Sequence, residues 1–286
     1  MTWEELVAEA SMRLKTAGID DAQANAEYMA AFVSGVRGRA EWRAIRRGKV
    51  RQEQADAFNE LIVRRELHEP LQYILGEWEF FGLPIIVRPG VLIPRPETEI
   101  LVEEALKEAA VMPAGITIVD VGTGSGAIAL AMAKHLPAAR VHGVDVSATA
   151  IAIAEENQAR LDLANVQFRQ SDMMQPEWLG TLQGTIHLLL SNPPYVSLED
   201  FETLEPELRE HEPREALTDE GTGLTFYCRL AEQAGALLAP SGRLLVELGF
   251  GLSERVADIM SSAGLYVLRI VPDLAGIPRV LVASRR

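Results

Sequence analysis

Ile116-Thr117-Ile118-Val119-Asp120-Val121-Gly122-Thr123-Gly124-Ser125-Gly126 joins a short apolar run to a glycine-rich loop, and the loop opens directly into Ala127 to His135. The apolar run reads as a buried strand and the segment after it as a helix. Glycines at alternate positions allow a tight turn and remove the Cβ atoms that would bar a ligand, while the helix N-terminus adds unpaired N–H groups. By itself the loop is a weak signal, shared by many α/β proteins.

Moving toward the C-terminus, the same alternation repeats. Ile116 to Val121, Val141 to Val146, Val166 to Arg169, Ile186 to Leu190, Leu244 to Leu248, Tyr266 to Ile270 and Val280 to Ala283 read as strands. The earlier ones are near-continuous apolar runs, as parallel strands covered on both faces should be. Only Val271 to Arg279 separates the last two, too short for a helical crossover, so they should pair antiparallel. A doubly wound α/β sheet of seven mostly parallel strands with an antiparallel end is predicted.

Moving the other way, Thr2 and Glu5 make a capping-box pattern ahead of Leu6, Ala10 and Leu14, and Gly18 stops that helix. Further helices are expected from Asp20 to Val33, ending at Gly35, and from about Gln52 to Leu67, with Phe58, Leu61 and Ile62 along one face. Trp78 to Phe81 and Ile85 to Val87, separated by Gly82-Leu83-Pro84, read as a β-hairpin. The predicted organisation is a helical domain over 1–75, a hairpin linker over 76–95 and a catalytic α/β domain over 96–286.

Two features shift the reading of the glycine loop from a dinucleotide to S-adenosylmethionine. Asp120 precedes the loop, where a carboxylate would repel a pyrophosphate but can accept from a cationic ammonium group. Asp145 ends the second strand, where it can accept both ribose hydroxyls. Asp172, after the third strand, can take an adenine amino group, and the thioether of Met173 can cover the adenine face. Taken singly, Asp145 also suits a helix cap and Asp172 a turn. Their recurrence at the carboxyl ends of successive strands is what points to a ligand. The expected cofactor contacts are therefore Asp120, Gly122, Thr123, Gly124, Ser125, Gly126, Asp145, Asp172, Met173 and Asn192.

The fourth predicted strand ends in Ser191-Asn192-Pro193-Pro194-Tyr195. Two consecutive prolines stiffen the segment and offer carbonyl acceptors without competing N–H groups. The Asn192 side-chain carbonyl and the Pro193 backbone carbonyl can bind both hydrogens of a planar NH₂ group, with Tyr195 packed on the target. Asn192, Pro193, Pro194 and Tyr195 are thus the expected catalytic residues. The target is an NH₂ conjugated to a π-system: a glutamine amide, an adenine amino group or a cytosine amino group.

Composition narrows the remaining choices. The 286 residues carry 27 Lys and Arg against 41 Asp and Glu, a net charge of −14, which opposes non-specific binding to nucleic acid. One basic stretch interrupts this balance, Arg37, Arg39, Arg43, Arg46, Arg47, Lys49 and Arg51, and is read as a solvated helix face. Cys228 is the one cysteine, expected to pack on a helix, and with no second thiol the chain reads as a protein of a reducing compartment. His68, His135, His142, His187 and His211 lack metal-ligand spacing, so no metal is expected. No apolar run reaches the roughly 18 residues of a membrane span and Met1 to Ala10 has no apolar signal core, so a cytoplasmic location is expected.

The chain resembles the HemK/PrmC family of protein-(glutamine-N5) methyltransferases. The resemblance is carried by Glu69 to Gly76, Phe80 to Leu83, Leu92-Ile93-Pro94-Arg95-Pro96-Glu97-Thr98-Glu99, Val119 to Gly126, Asn192 to Tyr195, Glu212 to Leu217 and Asp273 to Gly276. It implies a class I S-adenosylmethionine methyltransferase fold, Rossmann-like, and an activity on the glutamine of the Gly-Gly-Gln tripeptide in class I peptide-chain release factors. It also implies that the helical N-terminal domain helps dock that partner. Ribosomal-protein glutamine methylation is the alternative within the same chemistry, and adenine-N6 methylation of nucleic acid the one outside it. Glu247, at a strand end, suits either a structural carboxylate or a lining residue of the target pocket.

Overall fold

A computed structural model of the chain describes residues 1–36, 39–175 and 178–285. Its contacts divide it into two compact units, residues 1–77 with 205–211, and residues 78–204 with 212–286.

The first unit is helical. The Thr2 hydroxyl accepts from Glu5 N while the Glu5 carboxylate accepts from Thr2 N, the reciprocal capping that starts the helix Trp3–Thr16. Trp3, Val7, Ala10 and Leu14 form its buried stripe, against Phe58 and Ile62 of Gln52–Glu66 and Met29 and Ala30 of Ala22–Ser34. Trp3 meets the Trp42 and Phe58 rings edge-on at 6.2 and 6.0 Å. Two shorter helices, Arg39–Ile45 and Leu71–Leu75, complete the unit. The segment 205–211 belongs here because buried Arg65 donates to Glu207 as well as to Asn25 at 2.8 Å. Arg37 of the basic stretch lies outside the described residues; Arg47 makes an exposed 3.7 Å ion pair with Glu4.

The second unit begins at Trp78, within a hairpin of β1 (Glu77–Phe80) and β2 (Leu83–Ile86). Its turn is Phe81-Gly82, not Gly82-Leu83-Pro84 as the sequence suggested. Both turn residues have positive φ, 50° and 73°, the geometry that matches strand twist, and Pro84 is tolerated inside β2 because it faces solvent on an edge. Seven strands follow: β3 (Thr117–Val121), β4 (Arg140–Asp145), β5 (Val166–Gln170), β6 (Ile186–Ser191), β7 (Leu238–Glu247), β8 (Leu265–Pro272) and β9 (Pro278–Arg285). They form one sheet in the order β5-β4-β3-β6-β7-β9-β8, with β9 antiparallel to both its neighbours and the remaining pairs parallel. β7 begins at Leu238 rather than Leu244, because Leu238 pairs with Ile186 before a register shift. The Pro240-Ser241-Gly242 run within it looks like a turn in sequence.

Helices Ala127–His135, Ala148–Leu161, Pro96–Ala109, Thr225–Leu237 and Ser253–Ser262 accompany the sheet. Cys228 lies on Thr225–Leu237 but is exposed, correcting the expectation that it packs. The buried stripe of that helix is Tyr227, Leu230, Ala231 and Ala234, and position 228 falls outside it. From β3 the chain winds outward through β4 and β5, then returns to β6 on the opposite side of β3. The carboxyl ends of β3 and β6, where Val121 pairs with Ser191, are therefore a topological switch point, the position at which open α/β sheets hold ligands.

Candidate active site

The switch point opens into a cleft. Gly122 and Gly124 from the loop after β3, Asp145 at the end of β4, Asp172 and Met173 after β5, and Asn192, Pro193 and Pro194 after β6 all line it. The two motifs, far apart in sequence, face one space because β3 and β6 are hydrogen-bonded neighbours.

The glycine loop is held from beneath. Gly122 N and Thr123 N both donate to Val144 O, and Gly124 N donates to Asp145 Oδ2 at 2.9 Å. At Gly122 and Gly124 a Cβ would project into open space, so the loop leaves room for a ligand at those two positions. Gly126 serves packing instead: with φ at +83°, a Cβ there would stand 2.9 Å from the Phe168 ring and 3.0 Å from Ala154 Cβ. Ser125 is also buried below the loop, its carbonyl accepting from Asn157 Nδ2 at 3.0 Å, and Asn157 holds Ile86 of the hairpin at the same time.

Asp120 does not line the cleft. It is fully buried, and its Oδ2 accepts from Thr123 Oγ1 at 2.6 Å and from Ala129 N at 3.2 Å, bracing the loop against the following helix. Thr123 is spent on that bond. The other oxygen, Oδ1, has no partner among the described residues. Burial pushes this carboxyl up to about 7, with the nearby Asp145 charge adding to the effect against those two hydrogen bonds.

Asp145 borders the cleft and is not the helix cap, a place that Ser147 takes. Its Oδ1 accepts from Ser147 N at 2.9 Å, just ahead of the helix that Ser147 caps, and with one protein donor on each oxygen the carboxylate keeps capacity to accept more. Burial raises its pKa, opposed by the backbone donors of Ser147, Gly124 and Val146, while Glu215 raises it further. The Asp172 carboxylate accepts from Met174 N and Gln175 Nε2, as a turn residue does, while the residue still borders the cleft. Leu92, Glu215 and Ala216, from the segments Leu92 to Glu99 and Glu212 to Leu217, complete the wall together with Val91, Val146 and Phe226, which the sequence did not single out; Phe226 comes from the first turn of the helix Thr225–Leu237.

Among the described residues, three carboxylates, Asp145, Asp172 and Glu215, line the cleft, and no lysine or arginine does. Such a field repels a pyrophosphate and favours a cation. The buried orphan oxygen of Asp120 beneath the loop acts in the same sense. With open space above Gly122 and Gly124, the residues present fit S-adenosylmethionine, whose sulfonium and ammonium are both positive.

Tyr195 stands behind the cleft rather than in its wall. Its phenol donates to Glu247 Oε1 at 3.3 Å, and burial followed by the Glu247 charge holds that phenol protonated well above its usual range. Glu247 is 2% exposed; its Oε2 accepts from Thr98 Oγ1 at 2.6 Å, and its main-chain carbonyl accepts from the Tyr227 hydroxyl at 2.7 Å. The open question about this residue thus resolves as a satisfied buried carboxylate adjoining the site. The segment Leu92 to Glu99 runs beside it: Ile93 N donates to Glu212 Oε2 at 3.1 Å, Arg95 pairs with Glu212, and Phe81 N donates to Glu99 Oε1 at 2.7 Å.

Comparison with known proteins agrees with this geometry. Residues 5–76 match the PrmC N-terminal domain, residues 113–259 a methyltransferase domain, and residues 42–176 protein-L-isoaspartate(D-aspartate) O-methyltransferase. A release factor glutamine methyltransferase of Caulobacter vibrioides is 38% identical over 274 residues, 96% of this chain and 93% of that protein. Another, of Fusobacterium nucleatum, is 40% identical over 240 residues; the match takes in 83% of this chain and spans 66% of that relative's length. Among solved structures, a methyltransferase from Pyrococcus furiosus superposes with a TM-score of 0.52 at 20% identity, over 71% of this chain and 89% of that one, a likeness of fold alone. The sheet is that of a class I S-adenosylmethionine-dependent methyltransferase, and with relatives matched over most of their length the chain belongs to the family of release factor glutamine methyltransferases.

Proposed function

We propose that this protein transfers a methyl group from S-adenosylmethionine to the side-chain amide nitrogen, N5, of the glutamine in the Gly-Gly-Gln motif of class I peptide-chain release factors. The observation that carries this reading is that Asn192-Pro193-Pro194 borders the same acid-lined cleft as Gly122, Gly124 and Asp145. Family membership selects the glutamine among the conjugated NH₂ groups that such a motif can hold.

Gly122 and Gly124 would pass the cofactor's amino-acid portion over their backbone, Asp145 would accept the ribose hydroxyls, Asp172 and Met173 would meet the adenine, and Asn192 would stand next to the reacting methyl. The bound cofactor supplies an electrophilic methyl group on a sulfonium. An amide nitrogen is a poor nucleophile because its lone pair is delocalised into the carbonyl. Asn192 Oδ1 and the Pro193 carbonyl accept its two N–H groups, which places the nitrogen and stabilises positive charge as it develops there. The proline pair keeps these acceptors from rearranging. No strong base is required before attack, since the N–H becomes acidic only as the new bond forms.

The helical domain over 1–75 is read as an aid to docking the release factor; the hairpin over 76–95 links it to the catalytic domain over 96–286. The net charge of −14 and the acid-lined cleft disfavour adenine-N6 methylation of nucleic acid. No described helix is long and apolar enough to cross a membrane, and a cytoplasmic location, where the release factors work, follows from the substrate. The test is transfer of a labelled methyl group to purified release factor with its Gly-Gly-Gln glutamine intact or replaced by alanine, with ribosomal protein and duplex DNA in parallel. Label on the intact factor alone is expected. Label on ribosomal protein, on DNA, or on the factor lacking that glutamine would overturn the substrate assignment.

A further inference from the structure

From the cleft wall inward, four polar side chains from three remote parts of the chain join in a line. Asn192 Nδ2 donates to Thr98 Oγ1 at 3.2 Å, Thr98 Oγ1 donates to Glu247 Oε2 at 2.6 Å, and the Tyr195 phenol donates to Glu247 Oε1 at 3.3 Å. Thr98 and Glu247 are 4% and 2% exposed, so water does not compete for these bonds. Thr98 is in the first turn of the helix Pro96–Ala109, but its hydroxyl does no capping there, since its backbone N–H already bonds Arg95 O.

The sense of the line follows from what each group can do. An ionised carboxylate only accepts, so Thr98 commits its single hydroxyl proton to Glu247. A lone pair is what remains on Oγ1, and an amide can meet it only with its NH₂ side. This argument orients the amide from chemistry rather than from the near-identical shapes of its nitrogen and oxygen. Oδ1 is left with no partner among the described residues, on a side chain that borders the cleft.

We propose that Thr98 is a positioning residue: by giving its proton to Glu247 it holds Asn192 with the carbonyl oxygen, not the NH₂ group, presented to the substrate amide. The proposal rests on the glutamine-methylation reading and goes beyond it by assigning the cause of the Asn192 orientation. An inverted amide would set NH₂ against NH₂, leaving both donors unpaired in a confined site.

The groups facing Glu247 are Thr98, Tyr195, Glu97 and Arg279, with Tyr227 on its main-chain carbonyl. Burial pushes its carboxyl up to about 7, Glu97 adding to this and Thr98, Tyr195 and Arg279 opposing it. A proton placed on Oε2 would be donated to Thr98 Oγ1, freeing the threonine proton for Asn192 Oδ1 and inverting the amide. The relay therefore predicts an acid limb in kcat that travels through Thr98.

The experiment compares wild type, Thr98→Val and Thr98→Ser with full-length release factor and saturating S-adenosylmethionine across pH, alongside calorimetric binding of S-adenosylhomocysteine. At about pH 8, Thr98→Val should lose about 10- to 100-fold in kcat, as removal of a residue that orients an active-site group does, with S-adenosylhomocysteine affinity within about twofold of wild type. Thr98→Ser should stay within about threefold of wild type and keep the acid limb, which Thr98→Val should lose. Wild-type kcat in Thr98→Val, equal losses in both variants, or an acid limb unchanged in Thr98→Val would overturn the proposal. If Thr98→Val fails to fold, Thr98→Ala takes its place with the same expected loss in kcat and the same retained S-adenosylhomocysteine affinity, and wild-type kcat in Thr98→Ala overturns the proposal. Wild type unable to label release factor would refute the glutamine reading itself and the relay with it.

Discussion

Gly223→Ala tests whether the Asn192 to Tyr195 segment is held in place by its neighbours. Gly223 has φ at +76°, and a Cβ built there would lie 2.2 Å from the Tyr195 carbonyl oxygen and 2.9 Å from its carbon, both backbone atoms. An ordinary contact of about 3.4 Å or more requires the two backbones to part by at least about 1.2 Å, and the left-handed conformation costs about 1–2 kcal/mol for a residue with a side chain. The loop around Gly223 is not free to absorb that shift. The Asp219 carboxylate accepts from the backbone N–H groups of Gly221, Gly223 and Thr225 at 2.9, 2.8 and 2.9 Å, and Val196 N donates to Leu217 O. Part of the displacement must therefore appear in Asn192-Pro193-Pro194-Tyr195, and a misplacement of about 1 Å at a reacting centre costs about 100-fold in rate. Total destabilisation of about 2 kcal/mol should lower the melting temperature by about 4–8 °C. Stopped methyl-transfer assays for kcat, calorimetry for S-adenosylhomocysteine and thermal melts separate the effects: kcat should fall by more than cofactor affinity, because Gly122, Gly124, Asp145 and Asp172 lie outside the displaced segment. A variant with lowered melting temperature but wild-type kcat would refute the idea that this contact holds the acceptor segment.

Two further outcomes are expected. Asp145→Ala removes a carboxylate that would accept two hydroxyls and already fixes Gly124 N, and should weaken S-adenosylhomocysteine binding by about 100-fold in calorimetry; a change below about threefold would exclude a ribose role. Asp120→Asn concerns pH. Because the folded carboxyl is raised to about 7 from 3.8, the unfolded chain ionises first as pH rises, and the stability cost of this group grows across that interval and levels off above it. The difference in melting temperature between Asp120→Asn and wild type, measured without cofactor, should therefore shift in favour of the variant from about pH 4 to about pH 7. A pH-independent difference would show that Asp120 is not a desolvated acid.

How much of this was legible in sequence depends on the range over which each feature is determined. The capping box at Thr2 and Glu5, the apolar strands, the glycine loop and the Asn192-Pro193-Pro194-Tyr195 tetrapeptide are local patterns, and their conformations follow from neighbouring residues. The parallel sheet with its antiparallel end follows nearly as directly, since connection lengths limit how strands can pair. The hairpin turn falls at Phe81-Gly82 rather than Gly82-Leu83-Pro84 because turn type depends on φ at Phe81, a residue with no turn signature.

What no local pattern carries is the partner of a buried polar group. Asp120 looked like a ligand residue by position, and the packing of the loop on the helix Ala127–His135 put it beneath the cleft instead, with Thr123 and Ala129 as partners. Glu212 finds Ile93 and Arg95, and Glu247 finds Thr98 and Tyr195, across separations that no periodicity spans. The sequence by itself determined the elements and the chemistry at their ends, because secondary structure and chain stiffness arise from short-range sterics and hydrophobic spacing. Tertiary structure alone decided which acids face the cleft and which lie buried behind it, because a desolvated polar group takes whatever partner the packing of distant elements brings within hydrogen-bond reach.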